Sequence, residues 1–272
     1  QRQMCIRDRN NVNGYRLQIP ETILGDRSGG DTDRTGKSFT ISAWVKMDRF
    51  MNSGSNNKGN VIMGHGAQAH TNYNGSLILA TTETGTLKII SGASNTVTST
   101  LNTAVALNEW TYLTLVYYNS NFDVCVYKDG VLVTTKNNTK QLELFGDDPC
   151  IFFLGGFGFS GLCDEFQFFN KALTAQEVAQ AYENPQNLSS LTVWYDFNEV
   201  TPGTTGQFSN KVVDSAQSST TAKYTKLGGG QTSSDGGYIS QTSFTEYAPT
   251  LAEGRTTVSY THLRAHETPE HL

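Results

Sequence analysis

The amino-acid sequence predicts an all-β sandwich of the jelly-roll kind with one short helix. Three observations lead there. From about residue 10 to residue 186, short apolar or alternating runs are separated by clusters of Gly, Asn and Asp, the pattern of successive strands and turns. Charged residues make up 17% of the 272, below the roughly 25% of an average soluble chain, and Gly, Ser, Thr, Asn and aromatics take their place, as in exported β proteins. A single stretch, "LTAQEVAQAYENP", carries a full set of helix signals.

The strands are expected at Phe39–Val45, Asn60–Met63, Ser76–Ala80, Leu87–Ile90, Trp110–Tyr117, Asp123–Tyr127, Val131–Thr135, Ile151–Leu154 and Leu162–Phe169. "KDGVLV" contains an Asp-Gly pair that tolerates positive φ, so the runs on either side of it should form a tight hairpin. "GGFGFSG" (Gly155 to Gly161) reads as a looser turn joining the last two strands. In the helix Thr174 is the cap and Glu177 completes a capping box. Val178, Ala181 and Tyr182 form its apolar stripe, and Asn184-Pro185 ends it. Its shortness suggests that it lies across one end of the sandwich.

Both chain ends need separate treatment. "MCIRDR" and "VSYTHLRAHETPEHL" resemble translated sequencing-adapter read-through, so residues 1–9 and 258–272 are read as non-native. His262, His266, His271 and Cys5 fall in these ends. "HETPEH" misses the zinc pattern H-E-x-x-H by one residue, and Pro269 breaks the helix that would put both ligands on one face.

The net charge of −5 gives no basic stripe for phosphates, so neither nucleic acid nor an anionic membrane is an expected partner. No apolar run approaches the roughly 18 residues of a membrane span, so no membrane insertion is expected. The beginning carries no signal-peptide pattern, which is read as the start of the gene being absent. No Gly-rich phosphate loop and no Ser/His/Asp set appears in a fitting context.

"SFTISAWVKM", "LNEWTYLTLVYY", "VYKDGVLV" and "FSGLCDEFQFFNKALTAQEVAQAY" resemble, in order, the signatures of bacterial laminin-G-like domains of the concanavalin A-like lectin/glucanase superfamily. The resemblance covers about two thirds of the chain and implies a concanavalin A-like jelly roll over residues 10–186. It implies a cell-surface or extracellular setting, alongside other domains of one parent chain. "LTVWYDFNEV" resembles the opening strand of such a unit. Residues 187–257 therefore hold either the opening strand of a second repeat or a strand that fills the vacant place in the first, followed by a Ser/Thr/Gly-rich loop.

Asp164 and Glu165 are the first chemical candidates. Some members of the superfamily are glucanases that use strand carboxylates, but neighbours on a regular strand point to opposite faces, so this pair should not flank one glycosidic bond. On that pattern Phe166 and Phe168 face the core with Asp164 at the end of their row, while Glu165 and Gln167 face outward. By resemblance Asp164 is a candidate ligand for structural Ca²⁺, with Asp196 of "WYDFNE" as its partner. The competing reading is an Asp bonded to loop amides.

The second candidate is the loop "GHGAQAHTNYNGS" (Gly64 to Ser76). Amides and hydroxyls can bond sugar hydroxyls while a ring stacks on the sugar face, so His70, Asn72, Tyr73 and Asn74 are candidate glycan contacts. A plain polar hairpin loop is the alternative. His65 and His70 lack an obvious third ligand for a metal. Trp44 and Trp110 read as core residues. Cys125, Cys150 and Cys163 remain as thiols or as one disulfide. In a hairpin centred on "GGFGFSG", Cys163 falls opposite about Phe153, so a Cys150–Cys163 bond needs a shifted register.

The expected function is a non-catalytic carbohydrate-binding or adhesion module, with a glycan or a cell-surface or matrix ligand as partner. An architectural spacer and a glycoside hydrolase of the same fold are the alternatives.

Overall fold

A computed structural model describes residues 4–7, 15–20, 37–51, 60–67, 76–91, 97–137, 139, 142, 150–156, 158–195 and 223–226. In chain order its strands are β1 (Met4–Arg7), β2 (Tyr15–Pro20), β3 (Phe39–Met47), β4 (Asn60–Ala67), β5 (Leu77–Thr81), β6 (Thr86–Ser91) and β7 (Val97–Ala104). They continue with β8 (Trp110–Tyr118), β9 (Asp123–Lys128), β10 (Val131–Lys136), β11 (Cys150–Gly155) and β12 (Ser160–Phe169). Helix α1 (Ala175–Glu183) follows, then β13 (Leu191–Tyr195) and β14 (Lys223–Lys226). The nine expected strands are all present.

The strands make two seven-stranded antiparallel sheets. The first runs β1-β12-β3-β8-β9-β10, with β13 also on β12, and the second runs β14-β2-β11-β4-β5-β6-β7. Alternation along β3 decides what lies between them: Phe39, Ile41, Ala43, Val45 and Met47 enter the shared core. From the second sheet come Leu77, Leu79, Leu87, Ile89, Phe152 and Leu154. The ring of Phe152 stands 4.8 Å from Phe39 and 4.7 Å from Phe168, tying one sheet to the other.

Three expectations are corrected. β11 and β12 form no hairpin: β11 lies between β2 and β4 in one sheet and β12 beside β3 in the other. "GGFGFSG" is the crossing between sheets, and Gly155 and Gly158 adopt φ of 79° and 71° along it, a region open to glycine without steric cost. The register argument for Cys150 and Cys163 therefore lapses. Cys150 pairs with Ala67, whereas Cys163 pairs with Val45 and is a buried thiol, as is Cys125.

Helix α1 does not lie across an end of the sandwich. Val178 and Ala181 pack with Val116, Cys125, Tyr127 and Phe169 on the outer face of the first sheet. Their strand neighbours Leu115, Val124, Val126 and Phe168 belong to the inner core. Covering both faces is why β8 is buried along its whole central length, and why its sequence is apolar without a clean polar alternation. The capping box is formed as expected: Thr174 Oγ1 accepts from the Glu177 amide and Glu177 Oε2 accepts from the Thr174 amide at 3.0 Å.

The third correction concerns β12. Against β3, Asp164 pairs with Trp44 and Gln167 with Ser42, so Glu165 and Phe166 together oppose Ala43. This is a β-bulge, and Glu165 sits in it at φ 52°.

Candidate functional site

The bulge rearranges the face of the Asp164–Gln167 segment. Cys163, Phe166 and Phe168 point into the core. Asp164, across from Trp44, lies on the outer face and not in the row of Phe166 and Phe168. Glu165 and Gln167 are on that outer face too, yet they are buried, at 1% exposure each, with Asp164 at 2%. The strict alternation expected for Asp164 and Glu165 fails because the extra residue inserts half a period. It brings the two carboxylates to one face instead of separating them.

Each of these groups has a donor. Asp164 Oδ1 accepts the Glu165 amide at 2.9 Å, Glu165 Oε2 accepts the indole N–H of Trp194 at 2.5 Å, and Gln167 Oε1 accepts the Tyr112 hydroxyl at 2.6 Å. Aromatic rings surround them. Trp44 is 5.4 Å from Tyr112 and 5.5 Å from Tyr182, and those two tyrosines are 5.3 Å apart. Trp44 is thus buried, as expected, but beneath the helix and not between the sheets. Trp110 is half-buried at the start of β8, paired with Lys46.

The rim of this cluster is set by the β9–β10 hairpin. Asp129 and Gly130 form its two-residue turn at φ 51° and 78°, as the Asp-Gly signal predicts. Asp129 Oδ1 accepts the Tyr112 amide at 2.9 Å while its own amide donates to the Tyr112 carbonyl at 2.8 Å. Burial pushes the Asp129 carboxyl above its ordinary range, against the pull of the Tyr112 amide. Tyr182 packs over Gly130 and its hydroxyl is likewise raised by burial.

Two separate strands share one edge of β12, with Asp164 and Glu165 between the stretches they pair with. β1 pairs with Ser160 to Cys163, and β13 pairs with Phe166 to Phe169. Through β13 the inner core gains Val193 and the outer cluster gains Trp194, which is 7% exposed.

The other sequence candidates fall differently. His70, Asn72, Tyr73, Asn74 and Asp196 lie outside the described residues. The two stems of the Gly64–Ser76 loop are described: His65 pairs with Leu77, is fully buried, and its ring lies tilted 4.9 Å from Phe152 and 6.4 Å from Phe39. Ser76 is fully buried as well. His65 is thus a core residue at the foot of the loop. Gly64 lies flat against β5, where a Cβ would come 2.2 Å from the Leu77 carbonyl oxygen.

The fit of the Asp164 position to calcium can be judged from its donors. A Ca²⁺ ion takes about 6–8 oxygens. At the bulge Asp164 Oδ1 accepts an amide N–H and Glu165 Oε2 an indole N–H. Among the described residues no group of three or more His, Cys, Asp or Glu is placed to hold a metal. Sequence reasoning missed Trp194 and Tyr112 as partners of this segment; the hint available was the Trp-Tyr pair in "LTVWYDF".

Comparison with family models gives a match over residues 27–179, to the laminin-G-like model described as concanavalin A-like lectin/glucanases superfamily. Comparison with curated proteins gives no match. Among solved structures, a candidate carbohydrate-binding protein from Bacteroides ovatus ATCC 8483 is similar at 16% identity and a TM-score of 0.54, over 83% of this chain and 58% of that one. The chain thus spans 58% of the length of the Bacteroides protein. Domain 4 of an extracellular arabinanase from Geobacillus stearothermophilus, solved with arabinotriose, matches at 20% identity and a TM-score of 0.43, over 63% of this chain and 89% of that domain.

Proposed function

Because this chain belongs to the laminin-G-like family of the concanavalin A-like lectin/glucanases superfamily, we propose that it is a non-catalytic carbohydrate-binding module of a larger exported protein, acting at the cell surface or outside the cell. The observation that carries this reading is the anchoring of the Gly64–Ser76 loop. Its outgoing stem is locked by His65 between Phe152 and Phe39, and its returning stem by the buried Ser76. These stems hold the two ends of the segment that carries His70, Asn72, Tyr73 and Asn74, residue types that suit contacts with sugar hydroxyls and a sugar face.

The carboxylates argue in the same direction. A retaining or inverting glycosidase needs two carboxyl groups flanking a substrate, about 5–9.5 Å apart. Asp164 and Glu165 are buried to within 2% and each accepts a protein N–H. A pair so enclosed serves the scaffold. Among the described residues no helix is long and apolar enough to cross a membrane. Sharing a fold with the Bacteroides protein agrees with a binding role, and the glycan, the neighbouring domains and the surface setting belong to this proposal.

A glycan-array screen of the chain tests it, with Tyr73→Ala as the control. Binding to a defined glycan class that is lost in the control supports the reading. A blank array from folded protein points to an architectural spacer.

A further inference from the structure

We infer that a hydrogen-bonded indole clasp, Trp194 on Glu165, closes the β12 bulge where a structural calcium is implied by the resemblance, and that this clasp is what holds β13 in the first sheet. By putting Glu165 at φ 52°, a conformation that is costly for a side-chain-bearing residue, the chain turns that carboxylate onto the outer face. There Oε2 receives the Trp194 N–H at 2.5 Å in a buried setting. Burial raises the cost of leaving either group without its partner.

Asp164, the implied ligand, accepts the Glu165 amide with Oδ1, and this bond holds the bulge in place. With Glu165 Oε2 taken by the indole N–H, a cation at the corner would have to share these oxygens with two protein donors.

The consequence reaches beyond the corner. β13 begins at Leu191, past the family match that ends at residue 179. It nonetheless supplies Val193 to the core between the sheets. A strand of five residues is short, and the Trp194–Glu165 bond adds to the backbone ladder and the buried Val193 in fixing its register, with Trp194 opposite Gln167. The folded unit therefore extends to β13.

The test is thermal unfolding of the full chain in calcium and in chelator, with Trp194→Phe and Asp164→Asn. Trp194→Phe removes the N–H together with part of the ring, so Glu165→Gln and the double variant are measured beside it, and losses that are strictly additive overturn the inference. The expected result is a wild-type Tm that calcium and chelator leave unmoved, and a Trp194→Phe Tm lower by about 2–6 °C. Calorimetric titration with calcium chloride should show no saturable heat. A wild-type Tm that calcium raises, with the rise abolished by Asp164→Asn, overturns the inference in favour of a metal. An unchanged Tm in Trp194→Phe overturns it as well. None of these readings depends on whether a glycan binds.

Discussion

Tyr112 on β8 donates its hydroxyl hydrogen to Gln167 on β12 at 2.6 Å, across β3, so two strands that never pair are joined over the top of the one between them. Both residues are 1% exposed. On the same face Ser42, which pairs with Gln167 and Thr114, donates its hydroxyl hydrogen to Thr114 Oγ1 at 3.0 Å.

Tyr112→Phe leaves the Gln167 carbonyl without that donor in a place water does not reach. The expected loss is about 1–3 kcal/mol, measured by urea unfolding. Gln167→Met in the same background should cost less than the two single changes added together, because an apolar pair no longer strands a polar atom. Strict additivity would show that the two residues act independently.

Asp129 gives the chain a pH dependence of definite sign. Its carboxyl is raised in the folded state, chiefly by burial. Between its unfolded value and the higher folded value the native state binds more protons, so stability falls as pH rises through that window. Asp129→Asn keeps an oxygen for the Tyr112 amide and a residue type that tolerates φ 51°. It should remove this part of the slope without unfolding the hairpin. Unfolding midpoints measured from about pH 4 upward check it, and a slope identical in both proteins would contradict the assignment. Asp129→Ala should cost about 1–2 kcal/mol from lost acceptor and backbone strain.

How far the sequence could be read divides along physical lines. The strands of β3, β8, β9 and β10 were legible because their apolar residues are strongly patterned and because Asp129-Gly130 dictates a turn. β7, "VTSTLNTA", passed unrecognised: on an outer edge it needs few large apolar residues, and Leu101 is its main core contact. The turn "GGFGFSG" looked like a hairpin because adjacency in sequence usually means pairing in space. In a sandwich a short glycine-rich link also serves to cross between sheets, and nothing local separates the two. The bulge was invisible for a different reason. Glu165 is not a glycine, and the energy that holds it in a left-handed conformation comes from Asp164 beside it and from Trp194, 29 residues onward. Of the candidate site residues, Asp164 was recognised as special but placed on the wrong face. The face of a residue next to a bulge follows from tertiary pairing and not from the period of two.

Phe152 couples the two sheets directly. Its ring meets Phe39 and Phe168 of the first sheet and His65 of its own. Phe152→Leu should cost about 1–3 kcal/mol by urea unfolding, and Phe152→Ala about 3–5. The larger loss is a substantial share of the 5–15 kcal/mol typical of a whole domain. Since His65 anchors the outgoing stem of the Gly64–Ser76 loop against this ring, Phe152→Leu should also weaken glycan binding where binding is found. Full affinity with a loosened core would disconnect the stem from the loop.

Helix α1 offers a test of how much the outer layer matters. Its first turn holds a reciprocal Thr174–Glu177 box, and Lys171 Nζ lies 2.6 Å from Glu177 Oε1. The Lys171 hydrogen bond, followed by that of the Thr174 amide, holds the Glu177 carboxyl below its ordinary range. A lowered folded value means stability that is present above the unfolded value near 4.5 and lost as pH falls through the folded one. Thr174→Ala should cost about 1 kcal/mol, and Glu177→Gln should flatten the acid limb of the stability curve. Because α1 covers Val116, Cys125 and Tyr127, fraying it wets the outer face of β8 and β9. Thr174→Ala should therefore speed thiol labelling of Cys125, while Cys163, enclosed between the sheets, keeps its wild-type rate. Equal acceleration at both cysteines would mean that the variant opens globally, and the helix would then be part of the cooperative core.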